Sequence, residues 1–168
     1  MLTDAAIREH IPRLRRYARA LTGNREAADD LVQDTLERTI ARSALFRPGS
    51  DPRPWLFTIM HNIFVNQVRS AAVRKTTQLD QAVVEPVAAD TATYGLVARD
   101  IERALQFVPA EQREVILLVG LEDFSYAETA RILGIPVGTV MSRLSRGRER
   151  LRALLAGDAE PLPLKVAK

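Results

Sequence analysis

SYAETARILGIPVGTVMSRLSRGRERLRALL, residues 125–155, predicts two helices joined by a short turn. Ser125 followed by Glu128 is a capping-box pattern, in which each side chain accepts a hydrogen bond from a backbone N–H at a helix start. Gly134 can adopt the left-handed conformation that ends a helix, and Pro136 suits the first turn of the next one. This order of cap, turn and second helix is typical of a DNA-binding helix-turn-helix.

The second predicted helix has an apolar face and a polar face. At about 100° per residue, four residues share the face that we expect to pack against the first helix: Val140, Leu144, Gly147 and Leu151. The outward face and its flanks carry side chains that suit base edges and phosphates. These candidate DNA-binding residues are Thr139, Met141, Ser142, Arg143, Ser145, Arg146 and Arg150.

The positive charge of the chain is concentrated in this second helix. Residues 137–152 contain five arginines and one glutamate, a net charge of +4, whereas the whole chain carries +3. The remainder is therefore slightly acidic, and the sequence pI near 9.7 reflects a local basic stripe. An arginine-rich helix alone is as often a solvated surface, but the cap, turn and apolar face in phase with it favour DNA binding.

Composition and motifs exclude several other classes. The chain has no cysteine, which excludes disulfides and a cysteine nucleophile and, with no signal-peptide pattern, favours the cytoplasm. No apolar run approaches membrane-spanning length. His10 and His61 have no ligand-like spacing, and no phosphate loop or Ser/His/Asp set is present. We therefore predict no enzyme activity, no metal and no cofactor.

We predict an all-α fold with two small helical domains joined by a flexible linker. The first domain is expected over residues 1–72, the linker over 73–94, the second domain over 95–156 and a tail over 157–168. The linker is weakly periodic and acidic, which is typical of a connecting segment. Residues 115–119, VILLV, could form a buried strand, but no partner strand is evident, so a core helix is favoured.

Residues 25–40 predict a helix with an acidic face. Its acidic and amide side chains fall within an arc of about 140°, opposite an apolar arc. From this helix alone a solvated surface is favoured, although such a face could also dock a basic protein. The candidate protein-binding residues are Asp29, Asp30, Gln33, Asp34 and Glu37, together with Glu26 at the helix start.

A proline-rich entry, residues 46–54, leads into another predicted helix. Asn62, Asn66 and Arg69 recur on one of its faces at helical spacing. Exposed amides can hydrogen-bond unstacked bases while arginine holds phosphates. Trp55 is interpreted as a core residue, with base stacking as the less favoured alternative.

Three ordered blocks of the chain resemble the extracytoplasmic-function (ECF) sigma factors, the smallest sigma-70-type transcription initiation factors of bacteria. They are RRYARALTGNREAADDLVQDTLER, FRPGSDPRPWLFTIMHNIFVNQVR and VPAEQREVILLVGLEDFSYAETARILGIPVGTVMSRLSRGRERLR. The two domains would then be sigma region 2-like and sigma region 4-like. The resemblance implies partners, which are core RNA polymerase, promoter DNA and an anti-sigma protein. It also implies a protein that is monomeric when free and not inserted in a membrane.

The resemblance also implies roles for the candidate residues. The acidic helix would bind the coiled coil of the large catalytic subunit of RNA polymerase. Asn62 and Asn66 would contact the promoter −10 element, where a base is flipped out, beside a loop over residues 46–53. The helix-turn-helix would read the −35 element, with Arg143 and Arg150 on phosphates.

Two residues depart from the family pattern. Met141 stands where relatives often have a basic or polar residue, and Ser145 is small, so an unusual −35 preference is expected.

Two other functions stay open. A stand-alone helix-turn-helix regulator would bind duplex DNA tightly without polymerase. A sigma-like decoy would bind an anti-sigma protein without promoting transcription.

Overall fold

The computed structural model describes residues 2–77 and 96–157, and within these ranges every regular element is helical. Within the described residues two compact units form, the first from residues 2–19 and 24–77, the second from residues 20–23 and 96–157. The predicted all-α fold is confirmed. The helices in chain order are α1 (Asp4–Thr22), α2 (Arg25–Ala41), α3 (Pro52–Thr77), α4 (Leu96–Leu105), α5 (Ala110–Gly120), α6 (Tyr126–Leu133) and α7 (Val137–Ala156), with a 3₁₀ turn at Ser43–Leu45.

In the first unit, α2 packs one face against α3. Asn24 caps the start of α2, because its side-chain oxygen accepts a hydrogen bond from the Ala27 N–H at 3.0 Å. The hydroxyls of Thr35 and Thr39 are buried, and each donates at 2.7 Å to a carbonyl one turn back, so burial leaves neither unsatisfied. The buried face of α2 consists of Ala28, Leu31, Val32, Thr35 and Thr39.

Helix α3 begins in the predicted proline-rich entry. At its start Asp51 accepts a hydrogen bond from the Arg53 N–H at 2.9 Å. The helix runs to Thr77, past the expected domain end at residue 72, because residues 71–75 are mostly good helix formers without glycine or proline. The rest of the predicted linker and nearly all of the predicted tail lie outside the described residues.

In the second unit, a half-buried arginine fixes the connection between α4 and α5. The Arg113 guanidinium donates to the carbonyls of Leu105 at 2.7 Å, Gln106 at 3.2 Å and Val108 at 2.9 Å. A fourth bond goes to the carbonyl of Leu21, which belongs to the same unit, at 2.7 Å. The four bonds hold the segment between α4 and α5 in place and satisfy carbonyls of that segment. Burial lowers the pKa of Arg113 from its ordinary value, and the charge of Glu114 partly offsets this.

Residues 115–119 are helical, within α5, so the expectation of a core helix rather than a strand is confirmed. α7 approaches this helix closely at Gly147, which is buried. A Cβ added there would lie 2.8 Å from Ile116 Cδ1 and 3.2 Å from Gln112 Cβ. Glycine therefore allows α7 to lie against α5, which sets the position of the basic helix within this unit.

Candidate nucleic-acid and protein interfaces

The helix-turn-helix has the caps that its sequence predicts. Ser125 Oγ accepts a hydrogen bond from the Glu128 N–H at 3.1 Å, and Glu128 Oε2 accepts one from the Ser125 N–H at 2.8 Å. Gly134 ends α6 with φ 65° and ψ 37°, the left-handed conformation. The Ile135 N–H then donates to the Ala130 carbonyl at 3.0 Å, which closes the turn. Local sequence thus fixes the angle at which α7 leaves α6.

The apolar face of α7 is buried and its opposite face is exposed. Val140, Leu144 and Gly147 are buried, as predicted, and Leu151 is half-buried. Three of the candidate DNA-binding residues are exposed: Met141, Ser145 and Arg146.

The other four candidates on α7 are half-buried, which the helical projection does not predict. Ser142 Oγ donates to the Thr139 carbonyl at 3.1 Å, so the hydroxyl proton is held within the helix and the oxygen can accept from a ligand. Arg143 Nη2 lies 3.4 Å from Glu111 Oε2 on α5. Glu111 thus enters the interface as a neighbour of Arg143 that sequence reasoning missed. The half-buried candidates are Thr139, Ser142, Arg143 and Arg150.

The acidic face of α2 is fully exposed. Gln33 Nε2 donates to Glu37 Oε1 at 3.1 Å along the helix. Gln67 Nε2, on α3, donates to Asp34 Oδ2 at 3.2 Å, so one acid of this face is joined to the neighbouring helix. The exposed residues of this face include all five candidates: Asp29, Asp30, Gln33, Asp34 and Glu37.

The candidate −10 residues lie on the exposed side of α3. Asn62, Asn66 and Arg69 are all exposed, and their backbone spacing places them on successive turns of one helix. Asn66 also borders a shallow groove of about 290 Å³ between α2 and α3. The groove includes one arginine, Arg38, that was not among the candidates. It is lined by Asp34, Arg38, Ile63, Asn66, Gln67, Ser70 and Arg74.

Trp55 has the core role favoured from sequence. It packs against a cluster of buried residues that includes Phe46, and the two ring centroids are 5.3 Å apart. Phe46 is only 8% exposed, so the first residue of the proposed −10 loop supports the fold rather than facing solvent. The following residues, 47–51, are exposed and remain available to a bound strand.

No metal cluster and no membrane-spanning segment occur within the part of the chain that the structure describes. Over residues 2–77 and 96–157, no group of three or more His, Asp or Glu side chains is arranged to hold a metal ion. No helix in these ranges is long and apolar enough to cross a membrane.

Family models match both units of the chain. Residues 7–61 match the sigma2 domain of PhyR, and residues 98–151 match sigma-70 region 4. The ECF RNA polymerase sigma factor EcfG of Rhodopseudomonas palustris is 40% identical over 149 residues, which cover 88% of this chain and 82% of EcfG. The chain belongs to the ECF sigma factor family.

Solved structures extend the likeness of this ECF sigma factor to three dimensions. The sigma factor RpoE of Bartonella quintana, in complex with the anti-sigma factor NepR, matches with a TM-score of 0.81 and 40% identity, covering 94% of this chain and 100% of RpoE. The anti-anti-sigma factor PhyR, complexed with NepR from the same organism, matches with a TM-score of 0.59 and 20% identity, over 88% of this chain and 48% of PhyR. The second likeness shows a shared fold only.

Proposed function

We propose that this ECF sigma factor binds core RNA polymerase through the acidic face of α2 and directs it to promoters through α3 and α7. Sigma factors of this family direct RNA polymerase to promoters. The proposal is supported by a fully exposed acidic surface on one unit and a basic helix-turn-helix on the other. The polymerase-binding residues are Asp29, Asp30, Gln33, Asp34 and Glu37.

The proposed −10 surface is the exposed side of α3. Asn62 and Asn66 present amides that can both donate to and accept from the edges of unstacked bases, while Arg69 holds a phosphate. A base that leaves the stack loses a few kcal/mol of stacking and pairing, which these contacts would offset. α3 would therefore favour the open state of the −10 region over the closed duplex.

The proposed −35 surface is the outward side of α7. A helix-turn-helix inserts its second helix into the major groove, with its N-terminal residues at base edges. Exposed Arg146 can bond both acceptors of a guanine, and Arg143 and Arg150 at the edge of the helix suit phosphates. The base-reading residues would be Thr139, Met141, Ser142, Ser145 and Arg146.

The mechanism combines two weak contacts through one assembly. One domain reads −35 duplex and the other reads −10 single strand, and bound polymerase fixes their separation, so the second contact becomes intramolecular. The polymerase performs the chemistry. In this mechanism the sigma factor itself is not an enzyme, requires no cofactor and acts in the cytoplasm.

The observation that carries this proposal is that one chain has both an arginine-rich α7 with an exposed outward face and exposed asparagines on α3. We would test it by permanganate probing, which modifies unpaired thymines, on a promoter fragment with core polymerase. The complex should open the −10 region with the wild-type protein, and Asn62→Ala with Asn66→Ala should reduce opening while core binding persists. Equal opening with both asparagines replaced would contradict the −10 assignment.

We further propose an anti-sigma partner of the NepR type. The support is the 40% identity to RpoE, which was solved in complex with NepR. Such a partner should compete with core polymerase for the sigma factor. Mixing the sigma factor with the anti-sigma protein before core polymerase is added should therefore prevent promoter-dependent transcription. Unchanged transcription at saturating anti-sigma protein would count against this partner.

A second candidate function is that of a decoy that binds an anti-sigma protein without serving a promoter. It is favoured by one observation, the match of residues 7–61 to the sigma2 domain of PhyR, an anti-anti-sigma factor. A decoy needs no DNA-reading helix, whereas α7 exposes Arg146 and carries a local charge of +4. Binding of NepR-type protein without any protein-dependent transcript would favour the decoy.

A further inference from the structure

Two apolar side chains, Val137 and Met141, are exposed in the N-terminal part of the basic α7. Val137 is 42% exposed and Met141 is 53% exposed. They are four positions apart in the sequence, about one helical turn, so they lie one above the other on the same flank of the helix. Both belong to the first five residues of α7, the part of a recognition helix that reaches base edges.

We propose that Val137 and Met141 form an apolar contact for the C5-methyl group of thymine in the −35 element. This inference rests on the proposed function, and it assigns Val137, which was not a candidate, to base recognition. In the major groove the thymine methyl group is the one apolar feature of the base edges, and apolar side chains are its usual partners. Met141 is the more exposed and unbranched of the two, so it makes the principal contact.

The charge around the pair favours DNA over a protein as the occupant of this flank. Arg148 and Arg152 are exposed and follow Met141 along the same side of α7, where they can hold the phosphates beside the thymine. The main alternative occupant is a protein segment. It would lie in an open depression of about 570 Å³ beside the turn, which Val137 also borders. This depression is lined by Ala127, Ala130, Arg131, Gly134, Ile135, Pro136 and Val137.

The test removes single methyl groups from the DNA. The probe is a promoter fragment recovered by the polymerase holoenzyme from duplex DNA randomised across the −35 region. Each thymine of the recovered element is replaced in turn by deoxyuridine, which lacks only the C5-methyl group, and binding is measured by competition. For the wild-type protein, one or two replacements should weaken binding about fourfold each, as expected for one buried methyl group.

Variants assign that loss to the side chains. Met141→Ala should bind the thymine and uracil forms of the sensitive site equally, and Met141→Leu should retain the preference. Leu155→Ala, at another exposed apolar residue of α7, is the matched control and should behave as wild type. Thermal melting of each variant checks that the fold is intact.

The outcomes separate this inference from the proposed function. If the holoenzyme selects a −35 element but tolerates every uracil, or if Met141→Ala keeps the full preference, the methyl contact is refuted while the sigma function stands. The methyl contact is also refuted if Val137→Ala and Met141→Ala weaken binding to polymerase or to an anti-sigma protein but leave binding to DNA unchanged. If no −35 element is recovered, the proposed function itself fails.

Discussion

Reversing two charges on the acidic face of α2 should nearly abolish binding to core RNA polymerase. Asp30 and Asp34 are both exposed, and Asp34 accepts a surface hydrogen bond from Gln67 of α3 at 3.2 Å. Replacing both by arginine therefore removes no core packing. The helical content and the melting temperature of Asp30→Arg/Asp34→Arg should stay close to those of the wild type.

The size of the effect follows from surface electrostatics. Two unit charges about 4 Å apart interact with about 1 kcal/mol in water. Reversal exchanges an attraction for a repulsion, which costs about 2 kcal/mol at each position and about 4 kcal/mol for the pair. Since each 1.4 kcal/mol is tenfold, the dissociation constant should rise about 1,000-fold.

Fluorescence anisotropy of labelled protein titrated with core polymerase would measure this constant. The matched control is Glu9→Arg/Asp100→Arg, which makes the same charge change at exposed acids outside the α2 face and should weaken binding far less. Charge screening adds a second check, because added salt should weaken wild-type binding more than binding of the reversed variant. A double reversal that stays within about fivefold of wild type would refute the assigned surface.

Three further substitutions test other parts of the structure. Arg146→Ala should weaken use of a −35-dependent promoter by about 1 to 3 kcal/mol, measured as open-complex affinity, if its guanidinium bonds a guanine bidentately; unchanged affinity would remove it from the reading set. Ser125→Ala should cost about 1 kcal/mol of unfolding free energy in urea denaturation, because the capping bond to the Glu128 N–H is lost, and no change would mean that the cap is dispensable. Arg113→Lys should cost about 1.5 to 3 kcal/mol in the same assay, since the three N–H donors of an ammonium group cannot bond all four carbonyls, and retained stability would contradict their role.

Features of the fold that depend on neighbouring residues in sequence could be predicted. The capping box of Ser125 and Glu128 and the left-handed Gly134 each follow from a few residues, and the structure contains both. The faces of α2 followed from helical periodicity in the same way. The end of α3 at Thr77 could not be placed from the sequence, because residues 73–77 contain no glycine or proline that would mark a helix end.

Contacts between residues distant in sequence could not be predicted. The pairs Arg143 with Glu111 and Asp34 with Gln67 join different helices, and helical projection gives the angle of a side chain but not the neighbouring helix. For the same reason Ser142, placed on the outward face by projection, is half-buried. The site residues themselves stay predictions, since their roles came from the family resemblance and exposure alone does not assign them.

Run-off transcription with purified core RNA polymerase tests the central claim most directly. Reactions with and without this protein, on fragments of the source genome, would be followed by sequencing of the transcript 5′ ends. We expect protein-dependent transcripts that share −35 and −10 elements at a fixed separation upstream of their start sites. The absence of such transcripts, while the protein still binds core polymerase or an anti-sigma protein, would contradict it.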